Sequence, residues 1–423
     1  MQIRVRPSLL RGTIQIPSSK SHTMRAILLA SLARGKSRIQ NDLLSPDTEA
    51  MINACQAFGA KIESVEGGLW IEGVSGAPHF STGSLQVGNS GQVFRFIAAI
   101  AALDNQLVVI DGDESIRYLR PITPLLDALR QLGVKISKPY DQQAPIQITG
   151  PMLPGLVEMA GQDSQPVSAL LMACSFLPGP TEIKVTNPSE TPWIDLTLDW
   201  LKRVGIGFDV ISYQQYRLHG YARIDGFDYQ VNGDFSALAF PLIAGIITKS
   251  ALTFTNLDFS DIQGDKKIIY LLQDIGINLT IHRAQRSLEL LPSPAFLGFD
   301  YDMSQMIDAL PILAVLACFA STATRLYNAQ IARKKESDRI AAMAKGLKMM
   351  GAHLEEQADG LLIYPSSLQG AQLESEKDHR IAMAFLVAGF AAQGETIVND
   401  TACIEKSYPE FVTSFQKIGA VIE

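Results

Sequence analysis

The stretch RKKESDR, residues 333–339, puts cations where a ligand could use them. Read as helix, it sets Lys335 and Arg339 four residues apart on one face, with Glu336 beside them. Like charges at that spacing repel by about 0.2–0.5 kcal/mol. A solvated, mixed-charge face is one reading, and an anion held between the two cations is the other. Further cations fall at the starts of helical patterns: Lys20 and Arg25 in SSKSHTMR (18–25), Arg95 in GNSGQVFR (88–95) and Arg380 in EKDHR (376–380). A helix N-terminus is already partly positive, so a cation there is disfavoured unless an anion answers both. Arg120 in RYLRPI and Lys406 in EKSYPEF extend the set. The chemistry this permits is recognition of a small ligand, or a pair of ligands, with several negative charges.

The bulk of the chain does not supply that attraction. Its 423 residues carry a net charge of −7, so no global field draws it to nucleic acid or an anionic membrane. The length predicts two or three domains. The six histidines show no metal-ligand spacing, and no metal site is assigned. Cys55, Cys174, Cys318 and Cys403 lie far apart, and MQIRVRPSLL has no signal-like pattern, so the thiols are expected to be reduced in a cytoplasmic protein. The longest apolar run, ALPILAVLACFA, is too short for a membrane span and reads as a buried helix.

The elements that must position the cations recur. An apolar residue, a glycine and a short alternating segment appear at Gly59, Gly133, Gly205, Gly276, Gly351 and Gly419, at intervals of about 70 to 75 residues. Each glycine supplies a left-handed helix end, and a strand follows. In step with them run six small-residue apolar helices, such as MRAILLASLARG and HRIAMAFLVAGF. A helix that is apolar on every face must be buried on every face. Between them lie amphipathic helices such as LLDALRQLGVKI. Ser, Asn or Asp stands before most buried helices, as N-caps should, including GQDSQPVS (161–168), VNGDFSA (231–237) and SQMIDA (304–309).

Taken in order, PSSKSHTMRAILLA, GNSGQVFRF, RYLRPITPLLDAL, DSQPVSALLM, MIDALPILA, KESDRI, DHRIAMA and KSYPEF resemble the motifs of the 5-enolpyruvylshikimate-3-phosphate synthase family along the whole chain. The resemblance implies an α/β, two-domain enolpyruvyl transferase fold of six βαβαββ units, three per domain, with buried helices inside and sheets outside. One domain would span 18–233 and the other 1–17 plus 234–423, with the active site in the interdomain cleft. The implied reaction moves the enolpyruvyl group of phosphoenolpyruvate onto the 5-hydroxyl of shikimate 3-phosphate, in aromatic amino acid biosynthesis. It requires neither a metal nor an organic cofactor, and the expected partners are the two small substrates alone, with the protein a monomer.

The resemblance also distributes roles. Asp308 is implied as the base and Glu336 as the acid, with Lys20 close to the reacting hydroxyl. Asp308 also reads as an N-cap of the helix that follows it, and the two roles are compatible. Glu336 would lie one helical turn before Ile340, on an apolar stripe. Lys20, Ser21, Arg25, Asp163, Ser164, Gln165, Asp308 and Lys335 are implied contacts of shikimate 3-phosphate. Lys20, Gly91, Arg120, Gln165, Arg339, Arg380 and Lys406 are implied contacts of phosphoenolpyruvate. On this view substrate anions separate Lys335 from Arg339. His379 is expected to be structural or a hydrogen-bonder beside substrate.

Some positions depart from the family pattern. Asp163 and Glu190 stand where serines are usual, Trp193 replaces a tyrosine, Ile331 an asparagine, Gln92 a threonine and Phe96 a proline. Two carboxylates beside a phosphate site should repel it unless cations pair with them. The alternatives are an enolpyruvyl transferase with another acceptor, such as UDP-N-acetylglucosamine, or an inactive binding module on the same fold. The first is disfavoured by the absence of a cysteine in residues 110–125.

Overall fold

The computed structural model describes residues 1–81 and 83–423. Helices end at the glycines the sequence marks. Gly59 takes φ +105° between helix Pro46–Ala57 and strand Lys61–Val65, and Gly351 takes φ +85° between Arg339–Met349 and Leu354–Gln357. Glycine adopts this left-handed conformation without a Cβ penalty and so lets the last helical carbonyls be satisfied. Gly133, Gly205, Gly276 and Gly419 end their helices in the same conformation.

Among the described residues there are twelve α-helices: α1 Lys20–Leu32, α2 Pro46–Ala57, α3 Gly91–Ala101, α4 Thr123–Gln131, α5 Ser164–Cys174, α6 Thr191–Arg203, α7 Phe235–Ile247, α8 Lys267–Asp274, α9 Leu310–Cys318, α10 Arg339–Met349, α11 His379–Gly389 and α12 Phe411–Lys417. The odd-numbered helices are buried almost throughout, as their unbroken apolar composition demands. The even-numbered ones between them bury one side. Side chains cap several of the buried helices. Ser90 accepts from Val93 N, Asp163 from Gln165 N, Asp234 from Ser236 N and Asp378 from Arg380 N.

Strands of the described residues form six four-stranded sheets with one pattern: a parallel pair followed by two antiparallel steps. Asp228–Gln230, for example, runs parallel to Lys36–Gln40, which pairs antiparallel with Gly68–Glu72, and that in turn with Lys61–Val65.

The chain makes two compact units, residues 20–231 and residues 1–19 with 232–423. Each has its own apolar core. The N-terminal strands explain the discontinuity of the second unit. Gln2–Arg6 pairs with Thr396–Asn399, and Arg11–Gln15 runs beside Ala251–Thr255. Ser18 then bridges to Gly233, and Asp234 N donates to Pro17 O at 2.9 Å. No helix among the described residues is long and apolar enough to cross a membrane.

The 333–339 stretch differs from its sequence reading. A 3-10 turn, Gln330–Lys334, ends at Lys335, whose backbone (φ −91°, ψ −144°) leaves the helical region. Helix α10 starts only at Arg339, because Asp338 takes the N-cap position and accepts from Ala341 N at 3.0 Å. Lys335 and Arg339 therefore do not share a helical face, and Glu336 is not on the apolar stripe of α10.

Candidate active site

In the discontinuous unit the site is organised by Arg339. Its position at the first residue of α10 sets the guanidinium among three acidic groups, and it is 1% exposed. Nε donates to Asp378 Oδ2 at 2.8 Å, Nη1 to Asp308 Oδ1 at 2.8 Å and Nη2 to Glu336 Oε2 at 2.7 Å. Burial lowers its pKa, but Asp378, Glu336 and Asp308 more than reverse this and hold it above the ordinary arginine value. Carboxylates of the chain itself take up the Arg339 donors.

Asp308 lies in the 3-10 turn Ile307–Ala309 that leads into α9. It does not cap that helix: the cap position is Ala309, with no side-chain cap bond. Two guanidiniums take its oxygens instead, Arg339 on Oδ1 and Arg380 Nη2 on Oδ2 at 3.0 Å. Burial pushes the Asp308 pKa up, while Arg380, Arg339 and Lys335 push it down further. The result is a carboxylate well below the usual range, ionised at neutral pH. Glu336 also receives Lys406 Nζ on Oε1 at 3.1 Å. Asp378 is fully buried, caps α11 and accepts from Ser337 Oγ at 3.1 Å. His379, on the first turn of α11, is buried with Nδ1 3.7 Å from Asp378 Oδ1.

In the continuous unit, buried α1 carries Arg25 into a pocket of neutral oxygens. Nε and Nη2 donate to Thr197 Oγ1 at 2.9 and 2.8 Å, Nη1 to Ser21 O at 3.2 Å and Nη2 to Trp193 O at 3.3 Å. The guanidinium also lies 5.2 Å from the centre of the Phe96 ring. Burial without a carboxylate partner pushes its pKa down to about 9, which leaves it charged at neutral pH. A buried cation among neutral acceptors suits an incoming carboxylate or phosphate. Lys20 is 3.2 Å from Asp47 Oδ2.

The starts of α3 and α5 come together through Arg95. Nη1 donates to Gly91 O at 3.1 Å and to Gln165 Oε1 at 2.9 Å, and Nη2 is 3.0 Å from Asp163 Oδ2. Gly91 leaves room for two guanidiniums: a Cβ there would stand 2.7 Å from both Arg95 Nη1 and Arg120 Nη1. At the start of α5, Ser164 N and Oγ both donate to Glu190 Oε2, at 3.0 and 3.2 Å. Glu190 is 1% exposed and holds a left-handed backbone, φ +52°, just ahead of α6.

Within the discontinuous unit the structure gathers Asp308, Glu336, Arg339, Arg380 and Lys406, with Lys335 acting on Asp308 electrostatically. Within the continuous unit it links Gly91, Arg120 and Gln165 to Asp163 through Arg95, and it links Ser21 to Arg25. Sequence reasoning missed Asp47, Thr197 and the ligating role of Asp378. Asp378 was visible as an N-cap; the other two meet their partners across long stretches of chain and left no local signal.

A model of the EPSP synthase (3-phosphoshikimate 1-carboxyvinyltransferase) family matches residues 5–415. The chain is 42% identical over 426 residues to a 3-phosphoshikimate 1-carboxyvinyltransferase of Chlamydia caviae, covering 99% of this chain and 94% of that one. The corresponding Chlamydia felis protein is 43% identical over 428 residues, with the same coverage. Among solved structures, an EPSP synthase from Acinetobacter baumannii superposes with a TM-score of 0.82 at 26% identity, covering 100% of this chain and 99% of that one. The chain therefore belongs to the EPSP synthase (3-phosphoshikimate 1-carboxyvinyltransferase) family.

Proposed function

We propose that the protein transfers the enolpyruvyl group of phosphoenolpyruvate to the 5-hydroxyl of shikimate 3-phosphate, releasing phosphate, in aromatic amino acid biosynthesis. The observation that carries this reading is family membership over nearly the whole chain. The buried, cation-rich acid–base cluster around Arg339 supports it. In the first step Asp308, held ionised, takes the proton of the hydroxyl as its oxygen adds to C2 of phosphoenolpyruvate. Glu336 delivers a proton to the methylene carbon, making a methyl group. In the second step the tetrahedral adduct expels phosphate, which carries off the proton held by Asp308, and Glu336 takes one proton back from the methyl group. No net proton is required from Glu336 over the cycle. Arg339 and Lys406 hydrogen-bond the Glu336 carboxylate at rest; an anionic substrate competes for the same donors, and Glu336, losing them, takes up from solvent the proton that it delivers in the first step.

In the continuous unit, Arg25 with Ser21, Ser164, Gln165 and Lys20 receives the acceptor, and Arg120 beside Gly91 receives the donor's anionic end. In the discontinuous unit, Arg339, Arg380 and Lys406 contact the donor and Lys335 the acceptor. The test is a phosphate-release assay. Release that needs phosphoenolpyruvate and shikimate 3-phosphate together is expected. Release with unphosphorylated shikimate but none with the phosphate ester would overturn the choice of acceptor.

A further inference from the structure

We infer that Asp265 is a positioning residue that holds a proton behind Asp308 and thereby sets the net charge of the Arg339 cluster. The inference rests on Asp308 being the base proposed above. Asp265 lies in the 3-10 turn Gly264–Lys266, which packs against α7. Its side chain is fully buried. Ser236 Oγ is hydrogen-bonded to Oδ2, while Oδ1 has no polar partner. Asp265 makes no ion pair among the described residues. Its neighbours Lys266 and Lys267 are engaged elsewhere, Lys266 on the carbonyls of Phe259 and Asp261 and Lys267 on Gln305 Oε1. A buried carboxylate with one neutral donor and one bare oxygen is costly, and a neutral carboxyl in the same place is far less so.

The charges that face Asp265 come from other elements. Helix α7 also packs against α11 and against the turn carrying Asp308. Burial is the main cause pushing the Asp265 pKa up, and the Asp308 charge is the second. Arg380 and the Ser236 hydrogen bond oppose them, Asp234 adds to the rise, and the result is about 7. Half-buried Tyr301 senses the Asp265 charge in turn.

The consequence is a count of charges. Lys335, Arg339, Arg380 and Lys406 are the cations, and Asp308, Glu336 and Asp378 the carboxylates that face them. With Asp265 neutral, the group has one positive charge in excess. With Asp265 ionised, that excess is cancelled and an anionic substrate is held less well.

The experiment compares wild type with Asp265→Asn, which cannot ionise, across about pH 6 to 9. Wild-type KM for phosphoenolpyruvate should rise several-fold more steeply with pH than that of the variant, while kcat changes by less than about twofold. Ser236→Ala, which removes a donor that favours the ionised form, should move the rise to higher pH. Identical KM–pH profiles for wild type and Asp265→Asn would overturn the inference. Infrared titration of the unliganded protein tests the proton directly and needs no substrate, so it separates this inference from the proposed reaction. A protonated carboxyl band at pH 6 that fades as pH rises, and is missing in Asp265→Asn, supports it. A wild-type spectrum with no such band overturns it, whether or not Asp265→Asn folds.

Discussion

Glu336 and Asp308 are hydrogen-bonded to the same guanidinium. Arg339 Nη2 reaches Glu336 at 2.7 Å and Nη1 reaches Asp308 at 2.8 Å. The proposed acid and the proposed base therefore share one positive charge, and a change at either is felt by the other. Glu336→Gln keeps the shape and one hydrogen-bond acceptor but carries no transferable proton. Turnover should fall by about a hundredfold or more, with KM for phosphoenolpyruvate within a few-fold of wild type. Steady-state kinetics check this, and unchanged turnover would remove Glu336 from the acid role.

Arg339 is also a structural keystone of its unit. Replacing it with Met leaves Asp378, Asp308 and Glu336 without their shared buried partner. Breaking a buried charge network from one side costs about 3–5 kcal/mol. Urea unfolding of Arg339→Met should show a loss of that order. Arg339→Lys keeps the charge but not the planar fork, so it should recover only part of the loss. A loss under about 1 kcal/mol for the Met variant would mean that the three carboxylates do not depend on Arg339.

The buried Asp265 makes a prediction about stability and pH. Its pKa is about 7 folded against a reference of 3.8. Below the reference value both states hold the proton, and the side chain's contribution is complete. As pH rises toward and through 7, the unfolded chain has released the proton while the folded one must either keep it or bury a charge, so stability falls. Asp265→Asn escapes this. Relative to wild type it should gain stability progressively between about pH 4 and pH 7, the interval separating the unfolded and folded values. Chemical denaturation at the two pH values reads the gain directly, and a difference independent of pH would contradict it.

Ser164 gives both its N–H and its hydroxyl to Glu190, at the helix start where the acceptor phosphate is proposed to bind. A phosphate arriving there meets donors already claimed and a like charge. Asn tolerates the left-handed backbone of residue 190 and removes that charge. Glu190→Asn should lower KM for shikimate 3-phosphate by about tenfold and leave KM for phosphoenolpyruvate unchanged. An unchanged or higher acceptor KM would move the phosphate away from Ser164.

How far the sequence could be read depended on the range of the forces involved. The helix ends at Gly59 and Gly351 and the caps at Ser90, Asp163 and Asp378 are set by residues within a turn of each other, and they were legible. The 333–339 stretch was not, because Asp338 won the N-cap position and Arg339 turned to Asp308 and Asp378, 31 and 39 residues away in sequence. The N-cap reading of Asp308, the one its local pattern allows beside the role of base, fails for the same reason: two distant guanidiniums take its oxygens. Asp265 left no signal at all, since its character comes from burial against α7.

The central claim is that proton transfer to and from the methylene carbon of phosphoenolpyruvate accompanies enolpyruvyl transfer, with Glu336 as the carrier. Turnover in deuterium oxide, with the product examined by mass spectrometry and NMR, tests it most directly. A transient methyl group that receives one deuteron, rotates and then loses one hydrogen leaves deuterium in the vinyl group of the product, and Glu336→Gln should cut turnover and labelling together by about a hundredfold or more. Product formed at full rate with no deuterium at the vinyl carbon would contradict the account.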